Sequence, residues 1–105
     1  MLRIYPVSLV VYREVCARAK QIARYDRDQA RQLRRSGLSI ANNISEGTGG
    51  HGGTRRARYF DALGSARETL TNLECAAIAG YTGPIGAELR NRFDHIIGTL
   101  VKLTR

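Results

Sequence analysis

The sequence predicts an all-α protein, an antiparallel up-down-up-down four-helix bundle. Apolar residues recur at steps of three and four in four separate stretches, which is the spacing that aligns side chains on one stripe of a helix. Short segments rich in glycine, aspartate or proline separate these stretches, and no stretch alternates as a strand does. We therefore predict one domain, residues 1–105, with helices at about 7–24, 28–46, 54–79 and 84–104.

The first helix is predicted to follow an extended tail at residues 1–5. Pro6 suits the first turn of a helix, where its missing N–H is no loss, and Ser8 is the alternative start. The predicted inner stripe consists of Tyr12, Val15, Cys16, Ala19, Ile22 and Ala23. Basic residues lie off that stripe, where they face solvent or a binding partner.

The second helix is predicted to begin at Asp26 or Asp28, since a carboxylate there accepts a backbone N–H and faces the positive end of the helix dipole. Its predicted end is Glu46, followed by Gly47 in the left-handed position beyond the helix. A carboxylate at a helix C-terminus opposes the dipole. We therefore predict that Glu46 is anchored by backbone amides of the third helix or by a nearby arginine.

The third helix is predicted to begin at Thr54 and to end at Gly80, and Thr82 is the predicted cap of the fourth. Ile97 and Val101 widen the apolar stripe of the fourth helix, which predicts a second buried face for contact with another subunit. The inner row of the third helix is predicted to contain Leu63, Ala66, Leu70, Leu73 and Ala77. That of the fourth helix is predicted to contain Ile85, Leu89, Phe93, Ile96, Leu100 and Leu103.

The charge is strongly unbalanced. Seventeen basic residues face nine acidic ones, which gives a net charge of +8, and all the basic residues except Lys20 and Lys102 are arginine. Arginine is well suited to bidentate phosphate contacts and to stacking on bases. A partner with dense negative charge is therefore expected, and RNA or DNA is the natural candidate.

The location predicted from the sequence is the cytoplasm. No apolar run approaches the roughly 20 residues that a membrane span needs. Residues 1–6 lack the apolar core of a signal peptide. Cys16 and Cys75 lie beside alanines on predicted apolar stripes, so we predict buried free thiols.

The sequence offers no pattern of catalytic or metal-binding residues. Metal sites in helical bundles use Glu-x-x-His pairs, and neither His51 nor His95 belongs to one. Cys16 and Cys75 lack histidines at zinc-ligand spacing, and neither is placed as an activated nucleophile. We predict that the protein is not an enzyme and holds no cofactor or metal.

The predicted nucleic-acid contacts are basic residues on the first two helices and beside the glycine-rich loop. Three arginines open the third helix against its dipole, an arrangement suited to binding an anion. The alternatives are a solvated charged face and, for Arg34 or Arg35, an ion pair with Glu68 or Glu74. The candidate residues are Arg13, Arg18, Lys20, Arg24, Arg34, Arg35, Arg55, Arg56 and Arg58.

A family resemblance runs through the middle of the chain. Its residues are Gln32-Leu33-Arg34-Arg35, Ser39-Ile40, Asn43-Ile44-Ser45-Glu46-Gly47, Tyr59-Phe60 and Gly64-Ser65 with Glu68. In these residues the chain resembles a four-helix bundle family that includes proteins encoded in intervening sequences of 23S ribosomal RNA genes. The family also includes the accessory variability determinant of diversity-generating retroelements. Ser45 and Thr69 depart from the family pattern, where alanine and leucine are expected.

The resemblance implies one of two functions. On the retroelement branch, the chain would be a pentameric, ring-like homo-oligomer that binds RNA or DNA and partners a reverse transcriptase. The positive charge favours this branch. On the intervening-sequence branch, the chain would be a structural or protein-interaction bundle without a nucleic-acid role.

Overall fold

Four antiparallel helices make up the structure, a computed structural model that describes residues 2–105. The helices are α1 (Ile4–Ile22), α2 (Arg27–Thr48), α3 (Gly52–Ile78) and α4 (Ala87–Thr104). Each packs against the next, and α4 closes back onto α1. The bundle is 42 Å long and 25 by 20 Å across. The predicted all-α four-helix bundle is confirmed.

The core lies along the bundle axis and is built from one apolar stripe of each helix. Burial of these side chains is the main force that holds the helices together, at about 25 cal/mol per Å² of apolar surface. The largest fully buried apolar side chains are Ile4, Val11, Val15, Ile22, Leu33, Ile40, Ile44, Leu73, Phe93, Ile96 and Leu100. One predicted core position, Leu103, is exposed instead.

Helix α1 begins earlier than the sequence indicated. The prediction of an extended tail is wrong for Ile4 and Tyr5, since Ile4 is the first helical residue and is buried in the core; Met1 lies outside the described residues. Pro6 occupies the first turn, where a helix has no use for its missing N–H. The burial of Ile4 adds apolar contact at the end of the bundle and favours this extra turn.

Gly47 is helical, and the prediction of a left-handed position there is wrong. Helix α2 continues to Thr48, and the described glycines with positive φ are Gly52 and Gly80. Gly47 is buried against the ring of Tyr59 on α3. The glycine is therefore explained by a close approach between helices rather than by a turn.

Two of the predicted helix ends are confirmed. Asp26 caps α2 by accepting a hydrogen bond from the Gln29 N–H at 2.9 Å. After α3, Gly80 adopts a φ of 81°, and the Tyr81 N–H bonds to the Ala76 carbonyl at 2.9 Å. This pattern is a Schellman motif, which satisfies carbonyl groups left free at the helix end.

The predicted caps of α3 and α4 are wrong. His51 precedes α3 and Gly86 precedes α4, and neither makes a side-chain cap hydrogen bond. Helix α4 begins at Ala87, and residues 83–86 before it have no regular secondary structure. Thr82 lies outside the helix, and its hydroxyl oxygen is buried without a hydrogen-bond partner.

Small hydroxyl side chains join α2 to α3. The Thr69 hydroxyl donates to Ser36 Oγ at 2.8 Å, and the hydroxyls of Ser39 and Ser65 are 2.8 Å apart. Asn43 donates to Ser39 Oγ at 3.0 Å, within its own helix. Several residues that carry the family resemblance therefore lie together at this helix contact, and their small size lets the two helices pack closely.

The two cysteines differ in exposure. Cys16 is half-buried, whereas Cys75 is exposed on α3, so the prediction of buried thiols is wrong for Cys75. The apolar stripe of α3 is displaced from position 75, because Leu73 and Ala76 are the residues that face the core.

Within residues 2–105, no helix combines the length and the apolar character that crossing a bilayer requires.

Candidate nucleic-acid interface

The described residues contain few ion pairs for so basic a chain. Five basic side chains lie 2.6–3.7 Å from carboxylates: Arg18 with Glu14, Arg31 with Asp28, Arg58 with Glu46, Arg90 with Glu74 and Arg92 with Glu88. The other twelve of the seventeen basic residues have no carboxylate partner in residues 2–105. The excess positive charge is therefore available to solvent or to a ligand.

Three of the predicted binding residues form a line along α1 and past its end. Arg13 and Lys20 are exposed on one side of α1, seven residues apart, and exposed Arg24 lies in the turn that follows α1. Arg13 and Lys20 are about 10 Å apart along the helix axis at 1.5 Å per residue. The line faces away from the core stripe, so its charges are not needed for packing.

A second line runs along the neighbouring edge of α2. Arg27, Arg31 and Arg34 are exposed at a spacing of four and three residues. A side-chain hydrogen bond with Cys16 and burial raise the pKa of the Tyr12 phenol on α1. The positive charge of Arg34 on α2 acts on the same phenol and opposes this rise in its pKa.

We call these two lines together the basic face: Arg13, Lys20, Arg24, Arg27, Arg31 and Arg34. Since α1 and α2 are adjacent and antiparallel, the residues at the end of α1 lie beside those at the start of α2. Sequence reasoning missed Arg27 and Arg31. The signal was present, because both share with Arg34 the spacing that defines one side of a helix.

Two aspartates, Asp26 and Asp28, lie in the sequence among the residues of the basic face, and together they neutralise the charge of only one of those residues. Asp26 accepts the capping hydrogen bond from Gln29. Asp28 is 2.6 Å from Arg31 and accepts a hydrogen bond from Gln32 at 2.8 Å. The basic face thus keeps an excess of positive charge after its own ion pair is counted.

Arg18 does not belong to the basic face. Its side chain is only 13% exposed and donates to the carbonyl oxygens of Gly83 at 2.9 Å and Pro84 at 3.2 Å. Glu14 lies 3.7 Å from the same guanidinium. The geometry shows Arg18 joining α1 to the connection between α3 and α4.

The three arginines beside the glycine-rich loop also have partners within the chain. Arg55 donates to the Gly50 carbonyl at 3.1 and 2.8 Å. Arg56 donates to the Thr104 carbonyl at 3.0 and 2.7 Å, so it satisfies the C-terminal end of α4. Arg58 is 3.1 Å from Glu46, which confirms that an arginine anchors that carboxylate.

Arg35 lies apart from the basic face, on the other edge of α2. It lines a groove between α2 and α3 together with Gln32, Ser39 and Glu68. Within residues 2–105, neither Arg34 nor Arg35 pairs with Glu68 or Glu74, and Glu74 pairs with Arg90 at 3.3 Å instead. The predicted candidates thus fall into a shared surface on α1 and α2, an isolated Arg35 and four arginines bound within the chain.

A different kind of surface runs along the outside of α3. We call it the α3 outer face, and it consists of Ala57, Phe60, Gly64, Arg67, Thr71, Cys75 and Ile78, all of them exposed. Phe60 is 64% exposed and Ile78 is 87% exposed. Apart from Arg67 the face is uncharged, and its two large apolar side chains are available for contact with another protein surface. Ile97 and Val101, where a subunit contact was expected, are half-buried against the core.

The described residues contain no obvious metal centre. In residues 2–105, no three side chains of histidine, cysteine, aspartate or glutamate come together in an arrangement that would hold a metal ion. The candidate site is therefore described by its cationic groups alone.

Comparison with known proteins places the chain in a structural context. The family described as 23S rRNA-intervening sequence protein matches residues 2–102. No curated protein matches the sequence. Among solved structures, the chain is similar to a protein of unknown function of the S23 ribosomal protein family from Bacteroides thetaiotaomicron. That likeness has a TM-score of 0.81 at 23% identity and covers 97% of this chain and 98% of the other, so it supports the fold alone.

Proposed function

The chain belongs to the 23S rRNA-intervening sequence protein family, and we propose that it is a non-enzymatic, nucleic-acid-binding accessory protein. The basic face carries this proposal. Five of its six members have no carboxylate partner in the described residues, and all six are exposed on two adjacent helices or in the turn between them. Such a surface binds phosphates with little sequence readout and with a steep dependence on salt.

The finer proposal is that the chain is the accessory variability determinant of a diversity-generating retroelement and partners its reverse transcriptase in the cytoplasm. This rests on the resemblance in residues 32–68 and on the net charge of +8. A ring of subunits, pentameric by the same resemblance, would repeat the basic face and let weak phosphate contacts act together. The α3 outer face is the surface we assign to contact between subunits.

The second candidate is a protein-interaction bundle of the intervening-sequence type, without a nucleic-acid role. The exposed Phe60 and Ile78 of the α3 outer face favour this candidate, since exposed large apolar side chains fit a protein partner. In that case the basic face would be a solvated surface. Binding of nucleic acid at physiological salt distinguishes the two candidates.

The test compares two triple variants that remove the same charge from different places. Lys20→Ala/Arg24→Ala/Arg34→Ala removes three basic-face residues, and Arg55→Ala/Arg56→Ala/Arg58→Ala removes the loop arginines. Affinity for single-stranded RNA is measured by fluorescence anisotropy at several salt concentrations. We expect the basic-face variant to lower the salt slope by about 2, because each phosphate contact on a single strand contributes about 0.7.

The loop variant is the matched control for net charge. We expect it to weaken RNA binding and flatten the salt slope less than the basic-face variant does, because Arg55, Arg56 and Arg58 donate within the chain. Circular dichroism establishes that both variants stay folded. If both variants lose the same RNA affinity, the effect comes from net charge. If the basic-face variant keeps the salt slope of the parent protein, the basic face is not the nucleic-acid interface. No RNA or DNA binding by the parent protein would favour the protein-interaction bundle.

A further inference from the structure

An aromatic pair lies at the end of the bundle opposite the chain termini. Tyr25, in the connection between α1 and α2, stacks on Tyr81, which follows α3. The ring centroids are 4.9 Å apart and the planes are inclined by 7°. Tyr81 packs against the core, whereas Tyr25 is 63% exposed. One face of the Tyr25 ring is therefore covered by Tyr81, and its opposite face is open to solvent.

Backbone hydrogen bonds fix the positions in the chain from which both rings project. The Tyr25 N–H donates to the Ile22 carbonyl at 2.9 Å, at the end of α1. The Tyr81 N–H donates to the Ala76 carbonyl at 2.9 Å, in the Schellman motif that ends α3. An aromatic ring already supported on one side loses little conformational entropy when another planar group stacks on the other side.

Two arginines flank this exposed ring in the sequence. Arg24 precedes Tyr25 directly and Arg27 follows two residues later, and both are exposed without a carboxylate partner in the described residues. Lys20 lies four residues before Arg24, in the last turn of α1. Asp26, between the two arginines, accepts the capping hydrogen bond from Gln29, so its carboxylate is committed to the start of α2.

We propose that Tyr25 is a stacking platform for an unpaired base, with Arg24 and Arg27 binding the phosphates beside the stacked nucleotide. This inference rests on the proposed function and names the substrate class, single-stranded nucleic acid. A single strand can turn a base out onto an aromatic ring, and any base offers a flat face, so stacking needs no particular sequence. A closed duplex keeps its bases stacked within the helix and offers none to the platform.

The first test uses the absence of tryptophan from the chain. In a Tyr25→Trp variant, the single indole reports stacking directly through quenching of its fluorescence. The probes are single-stranded RNA and DNA of roughly 10 nucleotides, a length within the site sizes of single-strand binders, and a dumbbell duplex whose two ends are closed by ethylene-glycol linkers, so that it has no unpaired base. We expect quenching by the single strands and little by the dumbbell. Binding of a single strand seen by anisotropy, without quenching, would overturn the platform.

The second test separates stacking from charge. Tyr25→Ala should lower affinity for the single strand roughly 5- to 100-fold and leave the salt slope unchanged, because base stacking is not ionic. Tyr25→Phe keeps the ring and should bind like the parent protein. Arg24→Ala/Arg27→Ala should flatten the salt slope instead. Thermal unfolding of Tyr25→Ala, compared with Tyr25→Phe, shows whether loss of the aromatic pair alters the fold.

The outcomes distinguish this inference from the function on which it rests. If Tyr25→Ala binds single strands as tightly as the parent while the basic-face variant is weakened, the platform is wrong and nucleic-acid binding stands. If the parent protein binds neither single strands nor duplexes, the proposed function fails and the platform fails with it. Equal quenching of Tyr25→Trp by the dumbbell and the single strands would overturn the assignment to unpaired bases.

Discussion

The ring of Tyr59 fills the space in which a side chain at position 47 would lie. A Cβ atom added to Gly47 would be 2.6 Å from Cδ1 and 3.1 Å from Cζ of that ring. Tyr59 is 4% exposed and belongs to the core, so it has little room to move away. The contact sets the distance between α2 and α3 next to the loop that joins them.

We predict that Gly47→Ala destabilises the protein by about 1–3 kcal/mol, the usual range for overpacking a buried contact. Urea denaturation followed by circular dichroism measures the change. The matched control is Gly98→Ala on α4, where nothing lies within 4 Å of an added Cβ. That substitution should stabilise the protein by roughly 0.5–1 kcal/mol, because alanine is the better helix former. A Gly47→Ala variant as stable as Gly98→Ala would contradict the packing explanation.

Residues that depend on local chemistry were predictable from the sequence. Asp26 caps the start of α2 and Gly80 follows the end of α3. Both act through contacts with residues a few positions away, and both predictions hold. Gly47 was misassigned because its partner, Tyr59, is twelve residues distant and on another helix. Arg56 was read as a free cation because its acceptor, the Thr104 carbonyl, is 48 residues away in the chain. Such partners follow from the packed fold and leave no local signal.

At the scale of a whole helix, α3 presents two different sides. Its inner side packs on α2 and α4, and its outer face carries Phe60 and Ile78 among small residues and Arg67. Sequence reasoning expected the subunit contact near Ile97 and Val101 of α4 instead. A helix with apolar residues on two sides gives an ambiguous periodicity, so the exposed side becomes evident only when the core is known.

We predict that the parent protein forms an oligomer through the α3 outer face and that Phe60→Glu dissociates it. A carboxylate placed at the centre of an apolar contact would lose its hydration without gaining a partner. Light scattering at micromolar concentration measures the number of subunits. The control is Leu38→Glu on α2, since Leu38 is also an exposed large apolar residue, at 45%. A monomeric parent, or equal dissociation by both variants, would rule out this assignment.

At the scale of the whole molecule, excess charge opposes compactness. The chain carries a net charge of +8, and its five ion pairs are partly or largely exposed, so each contributes about 0–1 kcal/mol. Mutual repulsion among the twelve basic residues without carboxylate partners destabilises the folded state, and salt screens this repulsion over about 10 Å at 0.1 M. Because the repulsion involves more groups than the ion pairs do, added salt should have a net stabilising effect.

We therefore predict that the melting temperature rises as sodium chloride increases from about 0.02 to 0.3 M, over which the Debye length falls about fourfold. Differential scanning fluorimetry measures this shift. The variant Lys20→Glu/Arg34→Glu lowers the net charge to about +4 and relieves repulsion on the basic face, so its shift should be smaller. If the proposed function holds, a short single-stranded RNA that binds the folded state should raise the melting temperature of the parent at low salt, and less so at high salt. If the melting temperature of the parent protein falls as salt is added, the ion pairs outweigh the charge repulsion. Repulsion within the basic face would then not destabilise the folded state.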